Sequence, residues 1–163
     1  MSRFDEFITI VLDEEGILSS DSGGGETWYG IAHNKHPEVK PWPPTREQAI
    51  GIYHSCYWAL VRADDLPAPL DIIVTDAAVN QGVSTAGRLL QGLMPEVVQD
   101  GVIGPTTAAK ARAMMPDIVP RYLTARAFEY MKASAWPVDG HGWYDRLFRL
   151  ALRVGAPALA PVA

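Results

Sequence analysis

Acidic residues cluster where the first amphipathic segment of the chain meets a glycine-rich stretch. Glu14 and Glu15 directly precede Gly16, and Asp21 follows in the next segment. A carboxylate in the last turn of a helix faces the negative end of the helix dipole, which disfavours ionisation and raises the pKa of that carboxylate. A carboxyl group that keeps its proton near neutral pH is suited to general acid catalysis.

The glycine-rich stretch runs from Gly23 to Gly25 and is followed by Glu26 and Thr27. Glycines let an extended polymer approach the backbone, and Asp21 and Thr27 add a second carboxylate and a hydroxyl group. These groups suit hydrolysis of a glycosidic bond, in which one carboxyl protonates the leaving oxygen and the others orient water or stabilise positive charge on the sugar. The alternative is that the glutamates are solvated surface residues and that Asp21 forms an Asx-turn.

Aromatic side chains near this stretch offer faces on which sugar rings stack. Trp28 and Trp42 are flanked by glycine-rich and proline-rich loops, which makes them the better candidates for a saccharide groove. Core packing is the alternative for these two and for Tyr29, Tyr57 and Trp58, because aromatic residues dominate cores by area. The predicted substrate-binding residues are Glu26, Trp28, Tyr29 and Trp42.

Other catalytic chemistries find little support in the sequence. His33 and His36 are two possible metal ligands without a nearby carboxylate or cysteine motif, whereas structural metal sites use four ligands. Cys56 is the one cysteine, so no internal disulfide can form, and we expect it to be a buried apolar residue. We therefore expect a site that uses no metal and no cofactor.

Hydrophobic periodicity places these residues on a mainly α-helical framework. The apolar stripe from Phe4 to Val11 predicts a helix capped by Ser2 and ending near Gly16. A small β-hairpin is expected near residues 17–32, and Thr45 and Gln48 form a predicted capping box. Further helices are predicted over residues 46–60, 70–81, 84–94, from Thr106, over 117–133 and over 143–153, which gives six or seven in all.

Asp76 and Asn80 lie four residues apart on the otherwise apolar helix predicted to cross the core. Buried polar groups must be hydrogen-bonded. These two either brace the active-site loop, which we favour, or satisfy each other and the neighbouring backbone.

Composition and charge narrow the class of protein. The 163 residues suit one domain, which we place over residues 1–155, with a flexible tail over 156–163. A net charge of −5 gives no basic field for nucleic acid, and no apolar stretch is long enough to span a membrane. The N-terminus lacks the pattern of a signal peptide, so a cytoplasmic start is expected.

Several motifs, in one order along the chain, resemble the glycoside hydrolase family 108 N-acetylmuramidases, which are phage-type lysozyme endolysins. The resemblance runs from about residue 5 to residue 147. The motifs are Glu15-Gly16, Gly24-Gly-Glu-Thr-Trp-Tyr-Gly-Ile31, Tyr57-Trp58 before Asp64-Asp-Leu-Pro67, Asp76-Ala-Ala-Val-Asn-Gln-Gly82, Leu90-Gln91, Asp100-Gly-Val-Ile-Gly-Pro-Thr106 and Gly142-Trp-Tyr-Asp-Arg146. The resemblance implies a lysozyme-like fold, peptidoglycan as substrate and a catalytic glutamate. The part from about residue 84 resembles a peptidoglycan-associated segment, although we favour a turn as the primary role of residues 100–106.

The family's Glu-Gly-Gly motif can be aligned with this sequence in two registers. It reads Glu15-Gly16-Ile17 if the first glycine is held fixed, or Glu14-Glu15-Gly16 if the second is. We prefer Glu15 as the general acid, with Asp21 as its electrostatic or water-orienting partner and Thr27 as a positioner of water. The loop is shorter than the family's, and this chain has Asp21-Ser22-Gly23 where the family usually has an Asp directly before Gly-Gly-Glu-Thr.

The resemblance implies an endolysin that stays in the cytoplasm until a membrane pore formed by another protein releases it. Two rival interpretations stay open at this point. A lytic transglycosylase would use one glutamate and no water, and a catalytically silent peptidoglycan-binding or virion structural protein would keep only the fold. The doubled glutamate and the shortened loop are the features that favour the silent protein.

Overall fold

The computed structural model describes residues 1–15, 18–20, 26–133 and 136–155. Asp21 and the predicted tail over 156–163 lie outside the described residues. For Glu15 the description covers the backbone alone.

The described residues form seven α-helices and one three-stranded antiparallel sheet, which confirms the mainly α, lysozyme-like prediction. The helices are α1 (Arg3–Glu15), α2 (Arg46–Tyr53), α3 (Leu70–Gln81), α4 (Val83–Gln91), α5 (Pro105–Ala113), α6 (Ile118–Tyr130) and α7 (Trp136–Arg153). The strands are β1 (Leu18–Ser20), β2 (Glu26–Trp28) and β3 (Ile31–Ala32). The strand order is β1-β2-β3. The sheet therefore contains one short strand, β3, beyond the two strands of the predicted hairpin.

Helix α3 is the centre of the structure. All eight residues from Asp71 to Ala78 are buried, which explains why this helix shows no polar face in the sequence. Helices α1, α4 and α6 pack around it. Gly82, with a positive φ of 91°, ends α3, and α4 begins at the next residue, one position before the predicted start.

Both predicted helix caps are present. The Ser2 hydroxyl accepts a hydrogen bond from the Asp5 N–H at 3.1 Å, and the Asp5 carboxylate accepts one from the Ser2 N–H at 2.8 Å. Thr45 and Gln48 make the reciprocal pair that defines a capping box. Both caps could be predicted from the sequence because a cap depends on residues only three positions apart.

The predicted helix over residues 46–60 is α-helical only as far as Tyr53. A π-helical turn from His54 to Trp58 follows, in which the Ala59 N–H donates to the His54 carbonyl at 2.9 Å. The wider turn places the rings of His54 and Trp58 against Phe4 of α1, with ring centroids 4.9 and 5.4 Å away.

Two further predictions were wrong. Cys56 is half-buried rather than buried, because the π-helical turn sets it beside Ser55 at the surface. Helix α7 starts at Trp136 and not at residue 143. Pro137 lies in the first turn of α7, where proline is tolerated. None of the described helices is long and apolar enough to cross a membrane.

Candidate active site

The predicted acid stands where α1 ends. Glu15 is the last residue of α1, and β1 begins three residues later at Leu18. In the antiparallel pairing of β1 with β2, Thr27 lies opposite Ser19. Thr27 is therefore paired with a residue that follows the end of α1 by four positions in the sequence.

Thr27 occupies the buried position of β2. It is 8% exposed, whereas Glu26 before it is exposed and Trp28 after it is half-buried. On its other side β2 pairs with β3, where Thr27 lies opposite Ala32. A β-branched residue in a strand that is paired on both sides has few side-chain rotamers open to it.

The other glutamate of the pair, Glu14, is bound to α7. The Arg149 guanidinium donates from Nε to Glu14 Oε1 at 3.2 Å and from Nη2 to Oε2 at 2.9 Å. This two-pronged contact raises the pKa of Arg149. Asp13 accepts one hydrogen bond from Arg153 Nη2 at 3.0 Å. Glu14 and Asp13 therefore fasten the last turn of α1 to α7.

A cluster of Glu26, Trp28, Trp42 and His33, called the tryptophan cluster below, lies beside the sheet. The Trp28 indole N–H donates to Glu26 Oε1 at 3.1 Å, and the Trp42 indole N–H donates to Oε2 at 3.0 Å. These two hydrogen bonds, that of Trp28 first, lower the pKa of Glu26. Trp42 stacks on His33 with ring centroids 4.2 Å apart and planes 15° apart.

The remaining aromatic candidates divide between the site and the core. Trp58 is 1% exposed and donates its indole N–H to Asp64 at 2.9 Å, so the core interpretation holds for it. Tyr29 is half-buried at φ 52°, and its carbonyl accepts a hydrogen bond from the Tyr53 hydroxyl at 2.9 Å. Its ring lies 6.5 Å from that of Trp28 and is the link between the tryptophan cluster and the core.

Asp76 is a buried acidic residue of α3. It accepts hydrogen bonds from Arg126 Nη2 at 2.8 Å and from Arg146 Nη2 at 2.9 Å, and its side chain is 2% exposed. Burial opposes ionisation of Asp76, but the charges of the two arginines outweigh that effect and lower its pKa. The sequence analysis did not predict Arg126 as a partner of Asp76. Arg146 appeared there only as the last residue of a motif.

Asn80 departs from the prediction that it is buried with Asp76. It is exposed at the end of α3, and its Nδ2 donates to the Asp76 carbonyl at 2.8 Å and to Asp76 Oδ2 at 3.3 Å. The two residues thus satisfy each other and the backbone, which is the second of the predicted roles. Bracing of the loop over residues 21–25 lies outside the described residues.

Residues 100–106 form the predicted turn. Asp100 Oδ1 accepts hydrogen bonds from the Val102 N–H and from Gln91 Nε2, both at 2.8 Å. Gly101 has a φ of 84°, and its carbonyl lies so close to Gly87 that a side chain at residue 87 would clash with it. The turn is therefore locked against α4.

The two histidines that the sequence offered as metal ligands are engaged elsewhere. His33 stacks on Trp42, and His36 Nδ1 lies 3.0 Å from Glu38 Oε1. Within the part of the chain that the structure describes, no three His, Cys, Asp or Glu side chains are grouped as a metal ion requires.

Comparison with known proteins gives two matches of different kinds. The family model described as Glycosyl hydrolase 108 matches residues 8–82, which run from α1 to the start of α4 and contain the end of α1, the sheet and the tryptophan cluster. A solved structure described as that of Brucella abortus SagA has a TM-score of 0.84, is 30% identical in sequence, and the match covers 97% of each chain. No curated protein matches the sequence.

Proposed function

We propose that this chain, which belongs to the glycosyl hydrolase 108 family, cleaves the β-1,4 bond between N-acetylmuramic acid and N-acetylglucosamine in peptidoglycan. Membership of the family makes it a glycoside hydrolase. The observation that carries the finer proposal is the division of roles at the end of α1. Glu14 is bound by Arg149, and Glu15 is the residue at the helix end that precedes Gly16.

In this proposal Glu15 is the general acid. The C-terminal end of α1 carries the partial negative charge of the helix dipole, and the last turn of α1 contains no basic residue. A proton on a carboxyl group at that position is retained more readily than in water. Glu15 donates it to the glycosidic oxygen, so that the bond to the anomeric carbon breaks and the leaving sugar departs as an alcohol.

Water completes the reaction. Its oxygen adds to the anomeric carbon and its proton returns to the Glu15 carboxylate, directly or through solvent, which restores the starting protonation state. We assign stabilisation of the positive sugar, or orientation of this water, to Asp21. We assign positioning of the water to Thr27, because its hydroxyl stands on a strand paired on both sides.

The tryptophan cluster and Tyr29 supply the proposed saccharide surface. Glu26 fixes two indole rings with one carboxylate, so the rings are oriented before a sugar arrives. Surfaces ordered in advance lose less entropy on binding. Peptidoglycan strands are the partner that this surface suits, and an endolysin that leaves the cytoplasm through a pore at lysis is the biological setting we propose.

Product analysis tests the reaction directly. Purified peptidoglycan is incubated with the protein, and the fragments are identified by mass spectrometry. Hydrolysis gives reducing N-acetylmuramic acid ends. Anhydro ends would establish a lytic transglycosylase instead, and intact strands with bound protein would establish a silent binding protein.

A further inference from the structure

His33 belongs to the tryptophan cluster but has no part in the proposed reaction. It follows β3 directly, and its backbone N–H donates to the Glu26 carbonyl at 3.1 Å, which extends the pairing of β2 with β3 by one residue. Its imidazole lies flat on the Trp42 indole, with ring centroids 4.2 Å apart and planes 15° apart. The position of His33 is therefore set by the backbone of β2 and by the ring of Trp42.

Two side chains determine how the Trp42 ring is oriented. Glu26 Oε2 accepts a hydrogen bond from the Trp42 indole N–H at 3.0 Å, and His33 covers one face of the ring. A ring that is stacked on one face offers its other face to a ligand. The face of Trp42 that a sugar can use is therefore defined by Glu26 and His33 together.

His33 is the member of the tryptophan cluster that changes charge near neutral pH, because histidine gains a proton as the pH falls from 8 to 5. Hydrogen bonds from Trp28 and Trp42, that of Trp28 first, lower the pKa of Glu26, and the charge of His33 lowers it further. Glu26 therefore stays ionised over this range. A proton on His33 places a cation on the face of the Trp42 indole and near the Glu26 carboxylate, and both attract it.

The elements that contact His33 carry other ionisable groups. The charged and histidine side chains on them are Glu26 on β2, Lys35, His36 and Glu38 on the turn after β3, and Lys40 on the loop before Trp42. Lysines stay charged from pH 5 to pH 8, so their effect on His33 is constant. His36 Nδ1 lies 3.0 Å from Glu38 Oε1, so a proton on His36 is met by a carboxylate rather than by a tryptophan.

We propose that His33 is a positioning residue whose protonated form holds Trp42 in the orientation that binds the sugar, so that substrate affinity rises as the pH falls. This role rests on the proposed function for the identity of the ligand. His33 acts through Trp42 and does not touch the reacting atoms. Because His33 and Glu26 are exposed, water screens part of the attraction, and the expected change in KM is roughly two- to fivefold.

Steady-state kinetics on soluble peptidoglycan fragments at pH 5.5 and pH 8 test the proposal. His33→Phe keeps a flat ring on Trp42 but cannot gain a proton. The ratio of KM at pH 8 to KM at pH 5.5 should be roughly two- to fivefold larger in the wild type than in this variant. KM is the informative constant, because kcat also reports the protonation of the general acid.

A permanent cation at the same position gives the opposite result. The guanidinium of Arg stacks on aromatic faces and stays charged at both pH values. His33→Arg should therefore keep KM low at pH 8, where His33→Phe has a high KM. His36→Gln is the matched control, because His36 is on the same turn but paired with Glu38, and it should keep the pH dependence of the wild type.

NMR of the indole N–H groups tests the contact without any substrate. The Trp42 resonance should move between pH 8 and pH 5.5 in the wild type and stay in place in His33→Phe. A protein that cleaves peptidoglycan with the same pH dependence of KM in the wild type, His33→Phe and His33→Arg would overturn this role and leave the proposed function standing. A protein that leaves peptidoglycan intact would refute the proposed function, and a Trp42 titration that His33→Phe abolishes would still establish that His33 positions Trp42.

Discussion

Arg149 of α7 donates two hydrogen bonds to Glu14 of α1, at 3.2 Å and 2.9 Å, although the two residues lie 135 positions apart in the sequence. Glu14 is thereby engaged with α7, whereas Glu15 is the last residue of α1. We propose on this basis that Glu15 is the glutamate of the Glu-Gly-Gly motif.

Replacing Glu14 by Gln should leave most of the activity in place. The amide keeps the length of the side chain and one acceptor oxygen for Arg149, and an ion pair whose arginine is half exposed contributes little to stability. We expect initial rates on purified peptidoglycan within about threefold of wild type, since no proton donor is lost. Arg149→Gln should behave in the same way. A loss of two orders of magnitude in Glu14→Gln alone would assign the acid to Glu14.

Asp76→Asn should be strongly destabilising, although it changes the shape of the side chain little. It leaves Arg126, which is 0% exposed, without a counter-charge. Breaking one partner out of a buried pair costs about 3–5 kcal/mol in the free energy of unfolding. Urea denaturation at pH 7 measures the difference. Glu96→Gln, which breaks an exposed pair with Lys110, should scarcely move the midpoint, and equal effects of the two would contradict the role given to Asp76.

The same carboxylate predicts a pH dependence. Burial of Asp76 raises its pKa, but Arg126 and Arg146 outweigh that effect, so its pKa in the folded protein lies below the usual value of 3.8. A lowered folded pKa contributes stability above the unfolded pKa and loses it as the pH falls through the folded pKa. The stability gap between wild type and Asp76→Asn should therefore be constant from pH 5 to 7 and shrink below about pH 4. A stability gap that widened in acid would contradict a lowered pKa for Asp76 in the folded protein.

Elements set by local chemistry were predictable from the sequence. The caps at Ser2 and Thr45 depend on residues three positions apart, and α3 was predictable because most of its residues are apolar. The start of α7 was not predictable. Proline and glycine residues in its first turns carry weak helical propensity, and packing of Leu147 and Leu150 into the interior outweighs it.

Long-range partnerships were beyond the reach of sequence patterns. Arg126 and Arg146 lie 50 and 70 residues from Asp76, and nothing in their own neighbourhoods marks them as its partners. Glu26 was predicted beside the groove, but its bridge between Trp28 and Trp42 depends on how the proline-rich loop folds over β2. The same limit applies to Glu14, because Arg149 comes from the far end of the chain.

Glu26→Gln should weaken the tryptophan cluster without disturbing the proton donor. The amide has one acceptor oxygen, so one of the two indole N–H groups loses its partner. We expect KM on soluble peptidoglycan fragments to rise several-fold with kcat nearly unchanged, and Trp42→Ala to raise KM further. Steady-state kinetics on both variants check this. Phe128→Ala, an exposed aromatic residue of α6, serves as the control. A fall in kcat with constant KM would place Glu26 among the reacting groups.

Activity should survive removal of metal ions. His33 is stacked on Trp42 and His36 is paired with Glu38, so neither is arranged with the other as a ligand pair. Carboxyl catalysis of glycoside cleavage needs no metal. Turbidity loss of purified cell walls in millimolar EDTA is expected to match the untreated rate. Activity lost in EDTA and restored by zinc would return both histidines to the site.

The side-by-side rate of Glu15→Gln and Glu14→Gln on the same peptidoglycan is the most direct test of general acid catalysis by Glu15. Gln keeps the volume of Glu15 but cannot donate a carboxyl proton, and general acid catalysis contributes roughly 10²–10⁴-fold to the rate. Glu15→Gln should therefore lose at least a hundredfold in release of reducing ends, while its melting temperature and wall binding stay close to wild type and Glu14→Gln stays active. Full activity in both single variants and in the double variant would contradict a glutamate-driven muramidase at the end of α1.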